Sequence, residues 1–328
     1  MRKELLEVLR CPKTGQRLLL EESVYDNGCI RSGRLASEDG KFCYQIQNFI
    51  PRFVPKSNYA DNFGMQWNKF RQTQLDSYSG HPISTDRFWH ATGWRPEDIA
   101  GKWVLDCGCG AGRFAEVALN AGAKVVALDY SSAVDACYAN LKHHDNLYLV
   151  QGNIYELPFL ESFFPFVYSL GVLQHTPDVE KAFAALPPVL GSGGKICVDF
   201  YWRRIRTMLH AKYLFRPITK RMHQQNLFSL LESIVPTLLV ISQSVGRIPK
   251  VGRFLKRLLP VADYTGIFPL SKQQLKEWAL LDTFDMLAPE YDNPQSSKTV
   301  RSWLEKAGLV DVEVFHASHL VGRGVKSQ

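Results

Sequence analysis

The sequence predicts an α/β protein built on a parallel sheet, and two observations carry this prediction. From residue 101 onward, short apolar runs typical of buried strands alternate with segments of helical periodicity. The first of these runs ends in a turn that contains Gly108, Gly110 and Gly112 and leads directly into a helix. A strand, a glycine turn and a helix in this order form a ligand crevice at the carboxyl end of a parallel sheet.

The remaining elements follow in the order that such a sheet requires. Strands are expected at 102–107, 124–129, 147–151, from 165, at 195–201, 310–316 and 320–325, and helices at 112–121, 132–143, 178–190 and 297–307. We expect four parts, which are a small β-rich module at 1–56, an aromatic-rich arm at 57–100, the sheet domain at 101–202 and 296–328, and a helical insertion at 203–295. An insertion of this length is usually a lid or a binding element.

The glycine turn and the acid that follows it indicate a cofactor with a ribose. Asp129 ends the second strand about 20 residues after the turn, where an acid can hold a ribose diol. A dinucleotide and S-adenosylmethionine both use this geometry. Arg113 stands where a dinucleotide fingerprint starting at Gly108 needs a small residue, although an offset Gly-x-Gly-x-x-Ala pattern from Gly110 fits. Asp106 favours S-adenosylmethionine, because an acid suits a cationic amino-acid group and repels a pyrophosphate.

Three segments carry a resemblance to a known family. The run from Val104 to Phe114 resembles motif I of the class I S-adenosylmethionine-dependent methyltransferases. Residues 152–159 are similar to the family's Gly-Asp-x-x-x-Leu-Pro-Phe segment, whose polar residue meets the adenine amino group, with Asn153 in place of the acid. Residues 165–178 resemble the fourth strand and loop of the ubiquinone-biosynthesis type. The resemblance implies a Rossmann-like, seven-stranded methyltransferase sheet whose last two strands are antiparallel.

The resemblance also implies a cofactor site. Its expected residues lie in the turn and at the strand ends, namely Asp106, Gly108, Cys109, Gly110, Gly112, Arg113, Asp129, Tyr130, Asn153, Ile154 and Leu170. Trp67 and Arg87 of the arm, with Gln66, are expected to cover the cleft, since an arginine can bind the cofactor carboxylate as a bidentate partner. The alternative is that the aromatic residues only pack the arm onto the domain.

Candidate catalytic residues lie in two places. Methyl transfer depends mainly on alignment, but a hydroxyl, phenol or acidic carbon acceptor also needs its proton removed. His175, just past the fourth strand, is the first candidate base, with a loop-bracing role as the alternative. Asp282 and Tyr291, with Asp285 and Asp292, are candidates for the acceptor wall, unless they only cap helices and form turns.

The N-terminal module resembles a degenerate zinc ribbon of the tRNA-methyltransferase activator subunits. The resemblance rests on a Cys11-Pro12 start and a closing Tyr-x-Ile…Ile-Pro pattern. Thr14 stands where a second cysteine is expected, and Cys11, Cys29 and Cys43 supply at most three of the four ligands that a tetrahedral site needs. We therefore predict no metal site.

Positive charge is concentrated in the insertion. Residues 203–260 contain twelve Lys and Arg against Glu232 alone, a net charge of +11, while the rest of the chain carries −4. The basic runs flank an apolar stretch at 227–240, a pattern typical of helices that lie on anionic membranes. A lid over an amphiphilic or anionic acceptor and a dimer surface are the alternatives. No run of 18 apolar residues occurs and Pro236 would kink a helix, so no membrane-spanning helix is predicted.

These observations favour methyl transfer to the oxygen or carbon of a small-molecule, lipid-linked or carrier-linked acceptor. An RNA methyltransferase acting on rRNA or tRNA is the alternative, suggested by the ribbon and a pI near 9.0. A nucleic-acid partner is disfavoured, because the charge outside the insertion is negative. The presence of Asp106 and Asp129 argues against a scaffold protein without activity. Scattered cysteines and an N-terminus without a secretion signal predict a cytoplasmic protein, with contact at the inner membrane surface as an extension. A homodimer is a further alternative for the assembled protein.

Overall fold

One sheet of eleven strands runs through the part of the chain that the computed structural model describes, residues 1–55, 60–203 and 211–327. The strand order is β1-β2-β3-β4-β7-β6-β5-β8-β9-β11-β10. The strands are β1 Leu18–Asp26, β2 Cys29–Ser37, β3 Cys43–Gln47, β4 Ile50–Arg52, β5 Trp103–Cys107, β6 Lys124–Asp129, β7 Leu147–Gln151, β8 Phe164–Ser169, β9 Leu190–Phe200, β10 Leu309–Ala317 and β11 His319–Lys326.

The seven strands β5–β11 form the predicted methyltransferase sheet. β7, β6, β5, β8 and β9 pair in parallel, with Leu105 of β5 opposite Val126 of β6 and Val167 of β8. β11 then pairs antiparallel to β9, and β10 antiparallel to β11. The central strands read as continuous apolar runs because helices bury both faces of a parallel sheet. The Rossmann-like sheet and the antiparallel pair at its end are confirmed.

Helices cover the sheet and form the insertion. They are α1 Glu4–Val8, α2 Asp61–Lys69, α3 Asp76–Ser79, α4 Ile83–Thr92, α5 Pro96–Ile99, α6 Arg113–Asn120, α7 Ala133–Leu141, α8 Val179–Ala184, α9 Lys212–Thr219, α10 Gln224–Gly246, α11 Gly252–Leu255, α12 Lys272–Leu287 and α13 Ser297–Lys306. The helix predicted at 178–190 ends at Ala184, and a 3-10 turn follows at Pro187–Val189, because consecutive prolines cannot continue an α-helix. β9 then begins at Leu190, earlier than predicted.

The N-terminal region is continuous with the main sheet. Arg52 of β4 pairs in parallel with Gln151 of β7, and the N–H of Phe53 donates to the carbonyl of Gln151 at 2.8 Å. The Arg52 guanidinium also lies 2.7 Å from a carboxylate oxygen of Asp135 in α7. One apolar core contains residues of both regions, with Leu5 and Ile30 in the same cluster as Leu105. The N-terminal region therefore extends the methyltransferase sheet through β4 and shares its core.

The insertion packs around α10. The buried face of α10 joins a small core with α12 that includes Leu231, Val235, Ala279 and Phe284. The sequence predicts a kink at Pro236, and α10 includes Pro236 in its interior. Pro236 is exposed, and the packed residues Val235 and Leu239 hold the helix to α12 on both sides of it.

α10 differs from the sequence prediction in one further respect. Its 23 residues have a mean hydropathy of 1.5 over the most apolar window, so by length and composition it meets the requirements for a membrane span. Isolated polar residues interrupt the apolar run, which is why a search for an unbroken stretch missed it. Only 28% of that window is buried inside the protein.

Candidate active site

A cavity of about 970 Å³ opens at the carboxyl end of the parallel strands. Its wall includes Gly108 after β5, Asp129 at the end of β6, Gly152 after β7, Leu170 after β8 and Tyr201 after β9. Ligands of open α/β sheets bind at this edge. Fourteen residues named from the sequence line the cavity, namely Gln66, Trp67, Arg87, Gly108, Cys109, Gly110, Arg113, Asp129, Tyr130, Ile154, Leu170, His175, Asp282 and Asp285.

The glycine turn leaves no room for side chains. Gly108 and Gly110 have φ angles of 94° and 52°, in the left-handed region that favours glycine. A Cβ atom at Gly108 would lie 2.4 Å from the Val172 side chain, and one at Gly110 would lie 3.2 Å from the Trp67 ring. The backbone therefore approaches the cavity directly, which suits close contact with a ligand.

Asp129 is fixed at the cavity edge by its neighbours. One carboxylate oxygen accepts the N–H of Gly110 at 2.9 Å, and the other accepts the N–H and the hydroxyl of Ser131 at 2.9 and 2.7 Å. Burial raises the pKa of Asp129, and the hydrogen bonds from Ser131 and Gly110 oppose that effect. The carboxylate is thus oriented in advance, where the resemblance places the ribose diol.

Five predicted site residues lie outside this cavity, and Asp292, one of them, is described below. The Oδ1 atom of Asn153 accepts the N–H of Tyr155 at 3.1 Å, so Asn153 forms a local turn. Gly112 begins α6 where a Cβ would collide with Leu141 and Cys137, and it serves helix packing. Tyr291 contributes its backbone carbonyl near His175 and does not line the cavity.

Asp106, the fourth, lies buried beneath the glycine turn. One of its carboxylate oxygens has no hydrogen-bond partner among the described residues. Burial raises the pKa of Asp106 to about 8, and the hydroxyl of the facing Tyr168 offsets this only in part. The side chain therefore favours its neutral form near pH 7.

The two arginines of the site already have partners. Arg87 Nη2 lies 2.7 Å from a carboxylate oxygen of the buried Asp199, so its charge is neutralised within the protein. Arg113 donates from Nε to the hydroxyl of Ser84 at 2.8 Å and from Nη1 to Oε1 of Gln74 at 2.9 Å. Burial, and secondarily the charge of Arg87, lower the pKa of Arg113 to about 10. Both side chains therefore line the cavity wall while they donate hydrogen bonds to partners within the protein.

His175 also lines the cavity. Its ring contacts those of Phe63 and Tyr201, with centroids 5.3 and 5.4 Å away. Nδ1 lies 3.1 Å from the carbonyl oxygen of Tyr291, and Nε2 is buried without a hydrogen-bond partner among the described residues. The ring is thus held by its neighbours and keeps one nitrogen available.

The second half of the cavity is aromatic and acidic. The insertion supplies Tyr264, Trp278, Asp282 and Asp285 to it, and Tyr201 lines the cavity as well. Tyr201 donates its hydroxyl to Asp285 at 3.2 Å. Asp282 accepts the hydroxyl of Tyr264 on one oxygen and the side-chain amide of a further residue, Gln74, on the other, the latter at 3.0 Å.

Burial raises the pKa of Asp282 to about 6. The nearby Asp285 adds to this effect, while the hydroxyl of Tyr264 and the charge of Arg113 oppose it. Asp292, the other acid named from the sequence, instead forms a buried ion pair with Lys212 at 2.6 Å and does not line the cavity.

Several site residues carried no usable signal in the sequence. Gln74, Tyr264 and Trp278 come from the arm and the insertion, and only tertiary packing brings them together. Tyr201 could have been found, since it ends a predicted strand of the parallel sheet. The sequence named Gln66 only as a residue that could cover the cofactor cleft. In the structure Gln66 is buried and lines the cavity, and its side-chain amide has no hydrogen-bond partner among the described residues.

No metal centre is seen in the described ranges, which contain no cluster of three or more His, Cys, Asp or Glu side chains suited to a metal ion. Cys11 is buried with its sulfur 3.4 Å from the hydroxyl of Tyr44, while Cys43 is exposed. The prediction of a metal-free N-terminal region stays a prediction.

Comparison with known proteins adds a family to this geometry. Residues 105–198 match the family model described as a methyltransferase domain. A sterol 24-C-methyltransferase of Pneumocystis carinii is 32% identical over 107 residues, which are 31% of this chain and 28% of that protein. A tRNA U34 carboxymethyltransferase of Pseudoalteromonas translucida is 30% identical over 146 residues, which are 41% of this chain and 43% of that protein. The chain thus spans less than half the length of these two relatives.

Among solved structures, human N-acetylserotonin methyltransferase in complex with S-adenosylmethionine aligns with 84% of this chain and 61% of that chain. The identity is 13% and the TM-score 0.47.

Proposed function

From the premise that residues 105–198 form a class I S-adenosylmethionine-dependent methyltransferase domain, we propose that the protein methylates an oxygen or carbon atom of a small-molecule or lipid-linked acceptor. One observation carries this proposal. The cavity wall has a glycine-lined half, formed at the sheet edge by the glycine turn and Asp129, and an aromatic, acidic half supplied mainly by the insertion, and His175 lines the same cavity. Its volume of about 970 Å³ lies at the upper end of the range of ligand pockets, which leaves room for two ligands.

The glycine-lined half suits the cofactor. Gly108 and Gly110 expose backbone in a cradle that any Cβ would fill, and Asp129 presents an oriented carboxylate for a ribose. When bound there, the cofactor supplies a methyl group already activated on a sulfonium. The chain therefore has to align the acceptor and exclude water, and alignment is the main source of rate in such a reaction.

The aromatic half suits an acceptor with an apolar body and one acidic proton. Tyr201, Tyr264 and Trp278 offer ring surfaces, and rings of this kind bind flat or apolar ligands. Both oxygens of Asp282 already accept hydrogen bonds, whereas Nε2 of His175 has no such partner among the described residues. We therefore assign proton removal to His175 and positioning of the acceptor to Asp282.

The test is the fate of a labelled methyl group. The protein is incubated with S-adenosylmethionine labelled on the methyl carbon and with separate fractions of small metabolites, lipids and RNA. Label in a metabolite or lipid fraction supports the proposal, provided that Asp129→Ala abolishes it. Label confined to RNA contradicts it.

An RNA acceptor is the second candidate. It is supported by the 30% identity to a tRNA carboxymethyltransferase, over less than half of either chain, and by the resemblance of residues 1–56 to an activator-type ribbon. The same experiment decides between the two acceptor classes, because RNA and lipid fractions are counted separately.

A further inference from the structure

The insertion carries most of the exposed apolar surface of the described chain. Seventeen large apolar side chains are exposed in the described ranges, and twelve of them lie between residues 211 and 295. They include Leu214, Ile218, Val251, Phe254 and Leu258. Isolated exposed apolar residues are ordinary, but a concentration on one element marks an interaction surface. We call these twelve side chains and the basic residues among them the insertion surface.

The apolar residues form stripes on adjoining elements. Leu214 and Ile218 lie four residues apart on α9 and therefore on one helix face. Phe254 and Leu258 have the same spacing on α11 and the 3-10 turn after it. The N–H of Ala211 donates to the carbonyl of Arg257 at 3.2 Å, which joins the start of α9 to that turn. The two stripes therefore lie in the same region of the insertion.

Exposed cations lie among these stripes. They are Lys220, Arg221, Arg247, Lys250 and Arg257. The sole acid between residues 203 and 260 is Glu232, which lies 3.5 Å from Lys69 of α2. The insertion surface is thus apolar and positively charged, which complements anionic lipid headgroups over an acyl layer.

We propose that the insertion surface docks the protein on an anionic membrane, with α10 lying along the surface and not crossing it. α10 has the length of a span. However, its inner face is buried against α12, and Glu232 ties it to α2. Crossing the bilayer would require these contacts to break, whereas docking leaves them intact.

Docking would bring the mouth of the cavity to the lipid. Ile267 is 64% exposed and also lines the cavity, so the insertion surface and the acceptor half meet at this residue. Delivery of an acceptor from the bilayer rests on the proposed function, whereas docking itself does not.

Flotation with vesicles tests the docking. The full chain is mixed with phosphatidylcholine vesicles, with or without phosphatidylglycerol, and floated through a density gradient. We expect recovery with anionic vesicles only, falling as salt is raised, because exposed charges are screened. Replacing Arg247 and Lys250 by Ala should lower binding on the order of tenfold or more, since each cation near an anionic surface contributes favourably.

A matched pair of double variants tests the surface itself. Ile218→Glu with Phe254→Glu changes two residues of the insertion surface that are 67% and 60% exposed. Leu19→Glu with Val24→Glu changes two residues of β1 that are 52% and 57% exposed, with the same change in charge. We expect the first pair to abolish flotation and the second to retain most of it.

No flotation of the wild type, or equal loss in both double variants, overturns the docking proposal. A protein that floats but leaves no label in any fraction would overturn the proposed function and leave docking supported. Integrity of each variant is checked by its circular dichroism.

Discussion

The Nδ1 atom of His175 lies 3.1 Å from the carbonyl oxygen of Tyr291. A carbonyl oxygen only accepts hydrogen bonds, so Nδ1 carries the proton and Nε2 holds the lone pair. Nε2 is buried and has no partner among the described residues. The backbone of residue 291 thus sets the tautomer that a base needs.

The first prediction is that His175→Asn lowers kcat strongly without weakening cofactor binding. The asparagine amide lies near the Nδ1 position and can keep the bond to Tyr291, while Nε2 is lost. Loss of a positioned base costs about 10²- to 10⁴-fold in rate. Steady-state kinetics with the acceptor that the labelling experiment identifies measures the change in kcat. Calorimetry with S-adenosylhomocysteine is the control for cofactor binding. An unchanged kcat would leave His175 with a bracing role only.

The second prediction concerns Asp129. Asp129→Ala removes a carboxylate that holds the N–H of Gly110 and faces the expected ribose. Loss of hydrogen bonds to a charged group costs about 1.5–3 kcal/mol each, so affinity for S-adenosylhomocysteine should fall at least tenfold in calorimetry. Asp145→Ala, a change at an exposed carboxylate, is the control. Tighter binding of NAD than of S-adenosylhomocysteine would contradict the assignment.

The third prediction is a pH dependence of stability caused by Asp106. Its pKa is raised from 3.8 to about 8 in the folded protein. Between these values the folded state binds more protons than the unfolded state, so the free energy of unfolding falls as pH rises. The slope approaches about 1.4 kcal/mol per pH unit from this group.

Asp106→Asn should remove this contribution, because an amide stays neutral. Urea unfolding at several pH values between 5 and 8 should show the variant gaining stability over the wild type as pH rises. Asp145→Asn, at an exposed position, should follow the wild type. A difference between Asp106→Asn and wild type that stays constant with pH would show that Asp106 ionises normally in the folded protein.

The fourth prediction separates binding from stability at Gln66. Its buried amide lines the cavity without a partner among the described residues. Gln66→Leu should stabilise the ligand-free protein, because an unsatisfied buried polar group costs about 1–3 kcal/mol. If the Gln66 amide forms a hydrogen bond to a ligand, Gln66→Leu should also weaken binding of S-adenosylhomocysteine or of the acceptor.

Gln174→Leu is the matched control for Gln66→Leu. Gln174 is also buried with an unpartnered amide in the described structure, but it does not line the cavity. The Gln174→Leu variant should be more stable than the wild type and should bind the ligands with unchanged affinity. Equal affinities in both variants would show that Gln66 contacts no ligand.

The fifth prediction is that the purified, untagged protein contains no zinc. Cys11, Cys29 and Cys43 differ in exposure, and the described residues contain no group of three or more His, Cys, Asp or Glu side chains suited to a metal ion. Metal analysis by mass spectrometry checks this. One equivalent of zinc that is lost in Cys11→Ser would show that the ribbon ligands were misaligned.

The sequence was informative where a function depends on neighbours in the chain. The glycine turn, the strand before it and Asp129 lie within one βαβ unit, so their spacing alone placed them together. A motif does not show which bonds its side chain makes within its own segment. The Oδ1 atom of Asn153 accepts the N–H of Tyr155 in an Asx turn, and Asn153 does not line the cavity.

Contacts between distant segments could not be read from the sequence. Gln74 bridges Arg113 and Asp282 because the arm and the insertion pack against each other, and no local pattern encodes that meeting. α10 depends on such contacts as well, because packing against α12 supports the helix on both sides of Pro236, where local propensity is low.

The pairing of β4 with β7 has a consequence for solubility. Without it, β7 would end the parallel sheet and present unpaired N–H and C=O groups to other chains, a template for aggregation. The four N-terminal strands move the open edge to β1. There the register is broken between Glu21 and Val24, and the charged side chains of Glu21 and Glu22 pair with Arg34 of β2. A broken, charged edge resists strand addition, so the N-terminal region shields the catalytic sheet from self-association.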